Sequence, residues 1–495
     1  MDKQYILALD QGTTGSRAFL FDRKGAIVAS DYEEFEQYFP KPGWVEHDAD
    51  EIWVSVAHVI KGVLRKARVS LKRIVGVGIT NQRETTVLWD RKTGRPAARA
   101  IVWQCRRTTD ICRGVMHYAP TFRRKTGLVV DPYFSGTKIK WLLDNVKGLK
   151  ARAQKGGLCF GTIDSWLIWK LTGGREHVTD MTNASRTLLF NIRTLKWDPE
   201  LLKILRVPST MLPRVQNSGS VFGRTAGGNT GLPSGIPIAA VLGDQQAALY
   251  GQGCYAPGTV KNTYGTGCFI VLNTGKKLVL SKRGLLSTVA SDAYGKPVYA
   301  MEGSIFIAGA VVQWLRDRMH VVKESSETEQ VIKGLKDSGG VYFVPAFTGL
   351  GAPYWNAQAR GMISGLTRGT DPAHITRAAL ESIAYQTKDV FDLMKAESGK
   401  RIRSLKVDGG ACRNDFLMQF QADVLGCEIV RPKIIESTAF GAAQLAGVTV
   451  GMWKAKDLGK LRKAGRTFKP RMEQKKRKEL YQGWLKAVQQ VQGNT

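Results

Sequence analysis

The string DQGTTGSR, which begins at Asp10, combines residue types that bind and transfer phosphate. Glycines such as Gly15 let backbone N–H groups approach phosphate oxygens closely, and the hydroxyls of Thr13 and Thr14 add donors. Arg17 can neutralise a transferred phosphoryl group, and Asp10 can position Mg²⁺ through water. An ordinary glycine-containing hairpin is the alternative interpretation of so short a string. The sequence has no GxxxxGKS/T motif, so it does not indicate a Walker-type site.

Three further strings place polar side chains near the ends of apolar runs. Asp244 follows the run IPIAAVLG, where a carboxylate can accept a proton from an attacking hydroxyl or can cap a helix. Asp408 begins the string DGGA. Together with Asn414, this string can contact a nucleotide or form an ordinary strand-to-helix turn. Arg83 and Glu84 can bind polyol hydroxyls together, or can form a surface ion pair of little energetic value. Each string alone is a weak signal.

Strand-like apolar runs alternate with helical patterns along the chain, which predicts an α/β architecture. The runs Tyr5–Leu9 and Arg17–Asp22 flank the first loop directly, so they predict a hairpin and not a strand–loop–helix unit. A second hairpin of this kind is predicted by Gly258–Thr263 and Cys268–Asn273, around the string YGTG. The repeat indicates two related halves, with a boundary near residues 250–256.

The chain has 495 residues, and its 73 Lys and Arg against 42 Asp and Glu give a formal net charge of +31. Lys61–Arg73 holds six basic residues and no acid, and residues 452–495 hold 13 Lys and Arg against 3 Asp and Glu. Glu479–Gln492 in this tail has the spacing of an amphipathic helix with a basic outer face. Such charge is the footprint of a nucleic-acid or anionic-surface binder, but no RRM, KH, zinc-finger or helix-turn-helix signature accompanies it. We therefore expect weak contact with anionic surfaces at most, and no dedicated nucleic-acid or membrane partner.

The remaining composition favours a soluble cytoplasmic protein. Hydrophobic residues make up 43% of the chain, which excludes a disordered protein. The seven cysteines form no CxxC pair and are odd in number, which favours a reducing compartment over a disulfide framework or a zinc site. The start of the chain lacks a signal-peptide layout, and no uncharged apolar run approaches the roughly 18 residues of a membrane span.

Taken together, the strings resemble those of the FGGY carbohydrate kinases, and the resemblance runs from Tyr5 to Val491. It includes LDQGTT, GITNQRETT, IVWQCRRT, NASRTLLFNI, GDQQAALYGQ, KNTYGTGCF and VDGGACRNDFLMQFQADVLG. Tyr133–Asn145 resembles the first signature of the family, and Gly361–Glu381 resembles the second. The resemblance implies an α/β protein of the actin-like ATPase fold, in which two RNase H-like lobes surround a central cleft.

The resemblance also implies a reaction. ATP would phosphorylate glycerol to sn-glycerol 3-phosphate, the entry step of glycerol catabolism, with Mg²⁺ as the metal and ADP as the second product. Residues 1–252 would form the N-terminal lobe, with the polyol site and the phosphate loop. Residues 253–495 would form the nucleotide-binding C-terminal lobe, which ends in the basic helix. Asp244 would be the general base, Asp10 would serve the metal, and the protein would be a homodimer or homotetramer.

The remaining ligand contacts are likewise implied by the resemblance, position by position. Those to glycerol are Arg83, Glu84, Trp103, Tyr133, Asp244, Gln245 and Phe269. Those to the nucleotide and its phosphates are Thr13, Thr14, Gly15, Arg17, Thr266, Gly309, Gln313, Gly410 and Asn414. The three bulky aromatic side chains in the first group favour a small substrate.

The chain departs from the family pattern in its regulatory segments and its charge. Some family members bind fructose 1,6-bisphosphate at a glycine-rich loop with an arginine, but the matching loop here, Thr225–Ala240, has no charged residue. Arg224 is the nearest cation. None of the six histidines falls in this region, so control by histidine phosphorylation is not supported either. The charge of +31 is unusual for the family and does not involve the motif residues.

Three alternatives stay open at this point. A related kinase could act on a larger polyol or sugar, which a substrate panel would reveal. A non-catalytic actin-like protein would release no ADP on addition of glycerol, although the presence of Asp10, Arg83 and Asp244 argues against it. A binder of anionic surfaces would show salt-dependent binding that is lost with the basic tail.

Overall fold

The protein is described by a computed structural model that covers residues 4–356, 358–462 and 464–493. The strands and helices of its first half are, in chain order, β1 (Tyr5–Gln11), β2 (Gly15–Asp22), β3 (Ile27–Glu34), β4 (Glu46–His47), α1 (Ala49–Ala67), β5 (Ile74–Asn81), β6 (Val87–Asp90), β7 (Ala100–Ile101), α2 (Thr109–Gly114), α3 (Ala119–Thr126), α4 (Ser135–Asn145), α5 (Leu149–Gln154), β8 (Leu158–Gly161), α6 (Ile163–Leu171), β9 (Val178–Asp180), α7 (Met181–Ala184), β10 (Phe190–Asn191), β11 (Lys196–Trp197), α8 (Pro199–Leu205), β12 (Arg214–Gln216), β13 (Ile238–Gly243) and α9 (Asp244–Gly251).

The second half continues with the same alternation of strands and helices. Its elements are β14 (Val260–Tyr264), β15 (Cys268–Gly275), β16 (Leu286–Ser291), β17 (Pro297–Ile305), α10 (Gly309–Asp317), α11 (Thr328–Val331), β18 (Tyr342–Val344), β19 (Met362–Ser364), α12 (Pro372–Ser398), β20 (Ser404–Asp408), α13 (Asp415–Leu425), β21 (Glu428–Pro432), α14 (Ser437–Thr449), α15 (Leu458–Leu461), β22 (Ala464–Phe468) and α16 (Gln474–Gly493).

Each half is built on a mixed sheet with the same core topology. The first sheet has five strands in the order β13-β5-β1-β2-β3. The second has seven strands in the order β16-β17-β15-β14-β20-β21-β22, so its five central strands repeat the first sheet and β16 and β22 extend its edges. In both cores the first three strands in the chain are antiparallel and the last two are parallel to the first. This repeat is the pair of RNase H-like lobes expected from the sequence.

Both predicted hairpins are confirmed. In the first, Gln11 lies opposite Ser16, and the N–H of Gly12 donates to the carbonyl of Gly15 at 2.9 Å. In the second, Tyr264 lies opposite Cys268 and a bond of 2.9 Å joins the N–H of Gly265 to the carbonyl of Gly267. Because the neighbouring strands end level with each hairpin, each glycine–threonine turn lies at the edge of its sheet.

Parallel pairing brings the chemically interesting strand ends together. Strands β1, β5 and β13 run parallel, so Asp10, Arg83 and Asp244 lie at or just beyond one edge of the first sheet. In the second sheet, β14 pairs with β20 so that Thr263 lies beside Asp408. Ligands of α/β sheets bind at such carboxyl edges. The two edges form one cleft between the lobes.

Helix α14 belongs to the second half of the chain but packs on the first sheet. Its Ala439 and Ala443 share a buried core with Ile6 and Ala8 of β1. It also touches α9 backbone to backbone, because a Cβ atom on Gly441 would lie only 1.9 Å from the carbonyl oxygen of Ala247. The division of the chain at 252/253 stays a prediction, and its outer limits, residues 1 and 495, lie outside the described residues.

The predicted amphipathic helix in the basic tail is present as α16. Trp484, Val488 and Val491 are buried as expected, and Leu480 is half-buried. The indole of Trp484 donates to Asp389 Oδ2 of α12 at 2.9 Å, and the hydroxyl of Tyr481 donates to Oδ1 at 2.6 Å. The tail is therefore docked on the C-terminal lobe through one buried carboxylate.

Two further sequence-based expectations can be compared with the described residues. All seven cysteines carry free thiols, and six of them are buried. Across residues 4–356, 358–462 and 464–493, no helix combines the length and the apolar character needed to cross a membrane.

Candidate active site

A cavity of about 770 Å³ lies between the two sheet edges. Its walls include Asp10 and Arg17 from the first hairpin, and Thr263, Asp408 and Gly410 from the second lobe. The lining thus includes an exposed guanidinium and glycine backbone, which can donate to phosphate, and a strand-end carboxylate, which can serve a metal.

Arg83 is the centre of a buried ionic network beside this cavity. Only 3% of the residue is exposed. Its Nη1 donates to Glu302 Oε2 at 2.6 Å and its Nη2 donates to Oε1 at 3.0 Å, which is a bidentate pair. Its Nε lies 3.1 Å from Asp244 Oδ1, and Nη2 is 3.4 Å from the hydroxyl of Tyr133. The interpretation of Arg83 and Glu84 as an exposed surface pair is therefore wrong.

A second buried arginine completes the network. Arg186 is fully buried, and its Nε donates to Glu84 Oε1 at 2.6 Å while its Nη2 donates to Glu302 Oε1 at 2.9 Å. Burial raises the pKa of Glu84, against the effect of Arg83 and Arg186. Burial acts in the same direction on Glu302, but the two arginines overcome it and lower its pKa to about 2. Glu302 is thus the permanent counter-ion that allows two guanidinium groups to stay buried.

Asp244 is the first residue of α9, and the helix is capped by Gly243 instead. Its Oδ1 accepts from the backbone N–H of Gln245 at 2.7 Å and lies beside Arg83 Nε, and its Oδ2 accepts from Gln245 Nε2 at 3.0 Å. The side chain is 32% exposed, unlike the other carboxylates of the network. Asp244 is therefore the network carboxylate that a substrate in the cleft can reach.

Three aromatic rings form the wall next to Arg83. Trp103 meets Tyr133 edge-on with ring centroids 5.7 Å apart, and meets Phe269 at 6.3 Å. The indole N–H of Trp103 donates to Thr13 Oγ1 at 2.9 Å, which ties this wall to the phosphate loop. Apolar faces opposite charged groups suit a small molecule with a carbon backbone and several hydroxyls.

The first hairpin lies beside the phosphate cavity, which Arg17 and Tyr32 line, whereas Thr13, Thr14 and Gly15 are not among its lining residues. A Cβ atom on Gly15 would lie 2.5 Å from the ring of Tyr32, so only glycine fits there. The guanidinium of Arg17 stands 5.1 Å from the centre of the same ring. Tyr32 therefore supports the loop from the neighbouring strand β3.

Asp10 is the candidate for the metal. Burial raises its pKa to about 6, Arg17 opposes this rise, and Asp244 adds to it. A divalent cation would relieve the repulsion between the two carboxylates, so the residues fit Mg²⁺. No group of three or more metal-ligating side chains occurs in the part of the chain that the structure describes.

A second cavity, of about 630 Å³, adjoins the first one in the C-terminal lobe. The residues proposed for the nucleotide all line it, namely Thr266, Gly309, Gln313, Gly410 and Asn414. Asn414 is also the N-cap of α13, because its side-chain oxygen accepts from the N–H of Leu417 at 2.7 Å, and its amide donates to Thr328. Both interpretations of this string, a strand-to-helix turn and a ligand site, are compatible with the geometry.

Sequence reasoning missed Arg186, Glu302 and Lys261. Glu302 interrupts the buried strand β17, and Lys261 is a single cation in the buried strand β14. Charged side chains are almost never fully buried unless they are paired. A lone charge within a mostly apolar strand is therefore the signal that would have identified Glu302, without naming its partners.

The fold and the cleft define a protein of the actin-like ATPase fold, with a buried ionic network beside a cavity that Asp10 and Arg17 line. Models of the N-terminal and C-terminal domains of the FGGY family of carbohydrate kinases match residues 5–251 and 260–450. The chain belongs to this family.

Similar proteins match along almost the whole length of the chain. A glycerol kinase of Desulfitobacterium hafniense is 55% identical over 493 residues, which are 99% of this chain and 99% of that protein. A glycerol kinase of Listeria monocytogenes is 54% identical over 495 residues, with 99% of each chain covered. The crystal structure of Plasmodium falciparum glycerol kinase with ADP has a TM-score of 0.92 at 37% identity, and covers 99% of this chain and 98% of that chain.

Proposed function

We propose that this protein transfers the γ-phosphoryl group of ATP to a terminal hydroxyl of glycerol, with sn-glycerol 3-phosphate and ADP as products. The observation that carries the proposal is the position of Asp244. It lies between a hydroxyl-binding network, formed with Arg83 and Glu84, and a cavity that has the donors for phosphate. The names of the similar proteins support the choice of glycerol.

The residues of the cleft would divide the work of phosphoryl transfer. Arg83, Glu84, Tyr133 and Gln245 would hold the hydroxyls, and Trp103 and Phe269 would pack against the carbon chain. Asp244 would take the proton from the attacking hydroxyl, with its oxygens oriented by Arg83 and Gln245. Phosphoryl transfer depends mainly on positioning and charge stabilisation, so these contacts supply most of what the reaction needs.

The phosphates would lie in the cavity beside the first hairpin. Thr13, Thr14, Gly15 and Arg17 would contact them, and Asp10 would hold Mg²⁺. When bound, Mg²⁺ neutralises charge on the phosphate oxygens. The rest of the nucleotide would lie in the second cavity, against Thr266, Gly309, Gln313, Gly410 and Asn414.

The remaining predictions also belong to this proposal. The free, mostly buried thiols support a reducing, cytoplasmic location. A homodimer or homotetramer is retained as a prediction that light scattering would measure. Arg224 donates to the carbonyl of Gly235 at 2.8 Å, so the cation nearest the glycine-rich loop is already engaged by that loop.

The proposal is tested by measuring ADP release with glycerol, dihydroxyacetone, erythritol and xylulose as acceptors. We expect glycerol to give the highest kcat/KM, because the rings of Trp103, Tyr133 and Phe269 leave little room for a longer chain. A higher kcat/KM with xylulose would instead favour a kinase of larger sugars. If no acceptor increased ADP release, the protein would be a non-catalytic member of the fold.

The nucleotide site makes a separate prediction at Gly410. A Cβ atom there would meet no protein atom within 4 Å, so Gly410→Ala should fold normally. The new methyl group would point into the space that the nucleotide needs, and we expect ATP binding to weaken by about 1–3 kcal/mol. Calorimetric titration with ATP measures the effect.

The matched control is Gly114→Ala on helix α2. That position also has open space around the added Cβ atom and lies outside both cavities. The control should bind ATP like the unmodified protein. Equal ATP affinity in Gly410→Ala would place the nucleotide elsewhere.

A further inference from the structure

Lys261 is a fully buried cation at the junction of the glycerol and phosphate sites. It lies on β14, two residues before Thr263, which lines the phosphate cavity. Its ammonium donates to the Gln245 side-chain oxygen, to Thr263 Oγ1 at 2.8 Å and to the carbonyl of Phe269 at 3.2 Å. Three bonds satisfy all three of its N–H groups, so the side chain is fixed in one orientation.

The bond to Gln245 determines which way that amide faces. An ammonium group can only donate, so it must be met by the oxygen of the amide and not by the nitrogen. The Gln245 nitrogen is thereby turned toward Asp244, where Nε2 donates to Oδ2 at 3.0 Å. Without Lys261, the amide could rotate by half a turn and present an acceptor to the carboxylate.

The same ammonium orders the phosphate side of the cleft. Because Thr263 accepts from Lys261, its own proton is free for another acceptor, and Thr263 lies beside Asp408 in the paired strands β14 and β20. Burial lowers the pKa of Lys261 to about 8, and the positive charge of Arg83 acts in the same direction. The carboxylates of Asp408, Asp244 and Glu302 oppose this shift. One cation thus balances carboxylates that belong to three different elements of the two lobes.

We propose that Lys261 is a positioning residue for phosphoryl transfer, which acts by fixing the Gln245 amide against Asp244 and the Thr263 hydroxyl against Asp408. It would contact neither glycerol nor ATP. The inference rests on the proposed function, because it assigns Lys261 to the reaction that Asp244 would catalyse.

The test is a double-mutant cycle in the full-length protein with Lys261→Met and Gln245→Ala. We expect Lys261→Met to lower kcat/KM for glycerol by about 100-fold, the usual effect of a small misplacement of catalytic groups. The KM for ATP should change little. If Lys261 acts through Gln245, the kcat/KM of the double variant should be close to that of Gln245→Ala alone. The reason is that Gln245→Ala already lacks the amide through which Lys261 acts.

Lys406→Met is the matched control. Lys406 lies directly opposite Lys261 on the neighbouring strand β20, but its ammonium donates to the carbonyl of Gln252 at 2.7 Å, at the far end of α9. This variant should keep the kinetics of the unmodified protein. Lys261→Gln is a second variant that lacks the charge, and its kinetics are measured as well. Thermal unfolding of both Lys261 variants shows which of them is folded.

The outcomes separate the inference from the proposed function. Unmodified protein that does not phosphorylate glycerol would overturn the proposed function, and the cycle would then be run on the acceptor that the panel identifies. Activity on glycerol with unchanged kinetics in folded Lys261→Met or Lys261→Gln would overturn the role of Lys261. If the loss of kcat/KM in the double variant equalled the product of the two single-variant losses, Lys261 would not act through Gln245.

Discussion

Replacing Asp244 with asparagine is expected to lower kcat by about 10²- to 10⁴-fold, the range over which a general base contributes. The amide has nearly the same shape and can still accept from Arg83 through one oxygen, but it cannot take a proton. Asp244 is also the network carboxylate that reaches the cleft, with a side chain 32% exposed. No other carboxylate of the network can replace it, since Glu84 and Glu302 are buried against arginines.

The measurement is a coupled assay of ADP release, combined with calorimetric titration of ATP. ATP affinity should stay near that of the unmodified protein, because Asp244 is assigned to the attacking hydroxyl and not to a contact with the nucleotide. Asp317→Asn, which removes an exposed carboxylate paired with Arg316 on the surface, is the control and should have normal kcat. Normal turnover in Asp244→Asn would exclude its role as the base.

Replacing Arg83 with alanine should impair both glycerol binding and stability. Hydrogen bonds to charged groups contribute about 1.5–3 kcal/mol, so the KM for glycerol should rise roughly 10- to 100-fold. Glu302 would keep only Arg186 as a direct ionic partner, and breaking a buried pair typically costs about 3–5 kcal/mol of folding free energy. The variant should therefore unfold at a lower temperature.

Arg83→Lys separates the two effects. Lysine keeps the positive charge but cannot form the bidentate pair with Glu302, so we expect it to recover part of the stability and little of the glycerol affinity. Steady-state kinetics and thermal unfolding of both variants provide the comparison. An unchanged glycerol KM in a folded Arg83→Ala protein would contradict the hydroxyl contact.

The sheets and their turns could be predicted because their signals are local. In each hairpin, two apolar runs flank a short glycine–threonine string, and the ends of the observed strands differ from the predicted ends by at most two residues. Asp244 was also placed correctly after a buried strand. Its environment was not predictable, since whether such a residue caps the helix or faces a neighbour depends on contacts outside the local sequence.

The ionic network could not be predicted because its members are distant in the chain. Arg83 and Glu302 are 219 positions apart, and they meet only when the two lobes pack together. Nothing near Arg83 distinguishes it from an exposed arginine next to Glu84. The family resemblance supplied candidate site residues, but it did not supply the counter-ions Glu302 and Arg186 or the buried cation Lys261.

Most cations of the basic segment Lys61–Arg73 lie outside the cleft, but one lines it. Within Lys61–Arg73, the six cations are exposed, and five of them line neither cavity. Lys66 is different, because it lines the phosphate cavity and pairs with Asp31 at 2.7 Å. Most of this segment can act on ATP only at long range, through a steering effect that salt would weaken.

The packing of α14, from the second half of the chain, on the first sheet limits where the protein can be truncated. A fragment that stops near residue 252 would lack the helix that covers Ile6 and Ala8, so it would expose an apolar sheet face. The chain therefore passes from one lobe to the other and back, and the first half alone does not contain all of its own core. Engineered variants should therefore keep α14 packed on the first sheet. Circular permutation at surface loops would keep it there, whereas truncation between the halves would remove it.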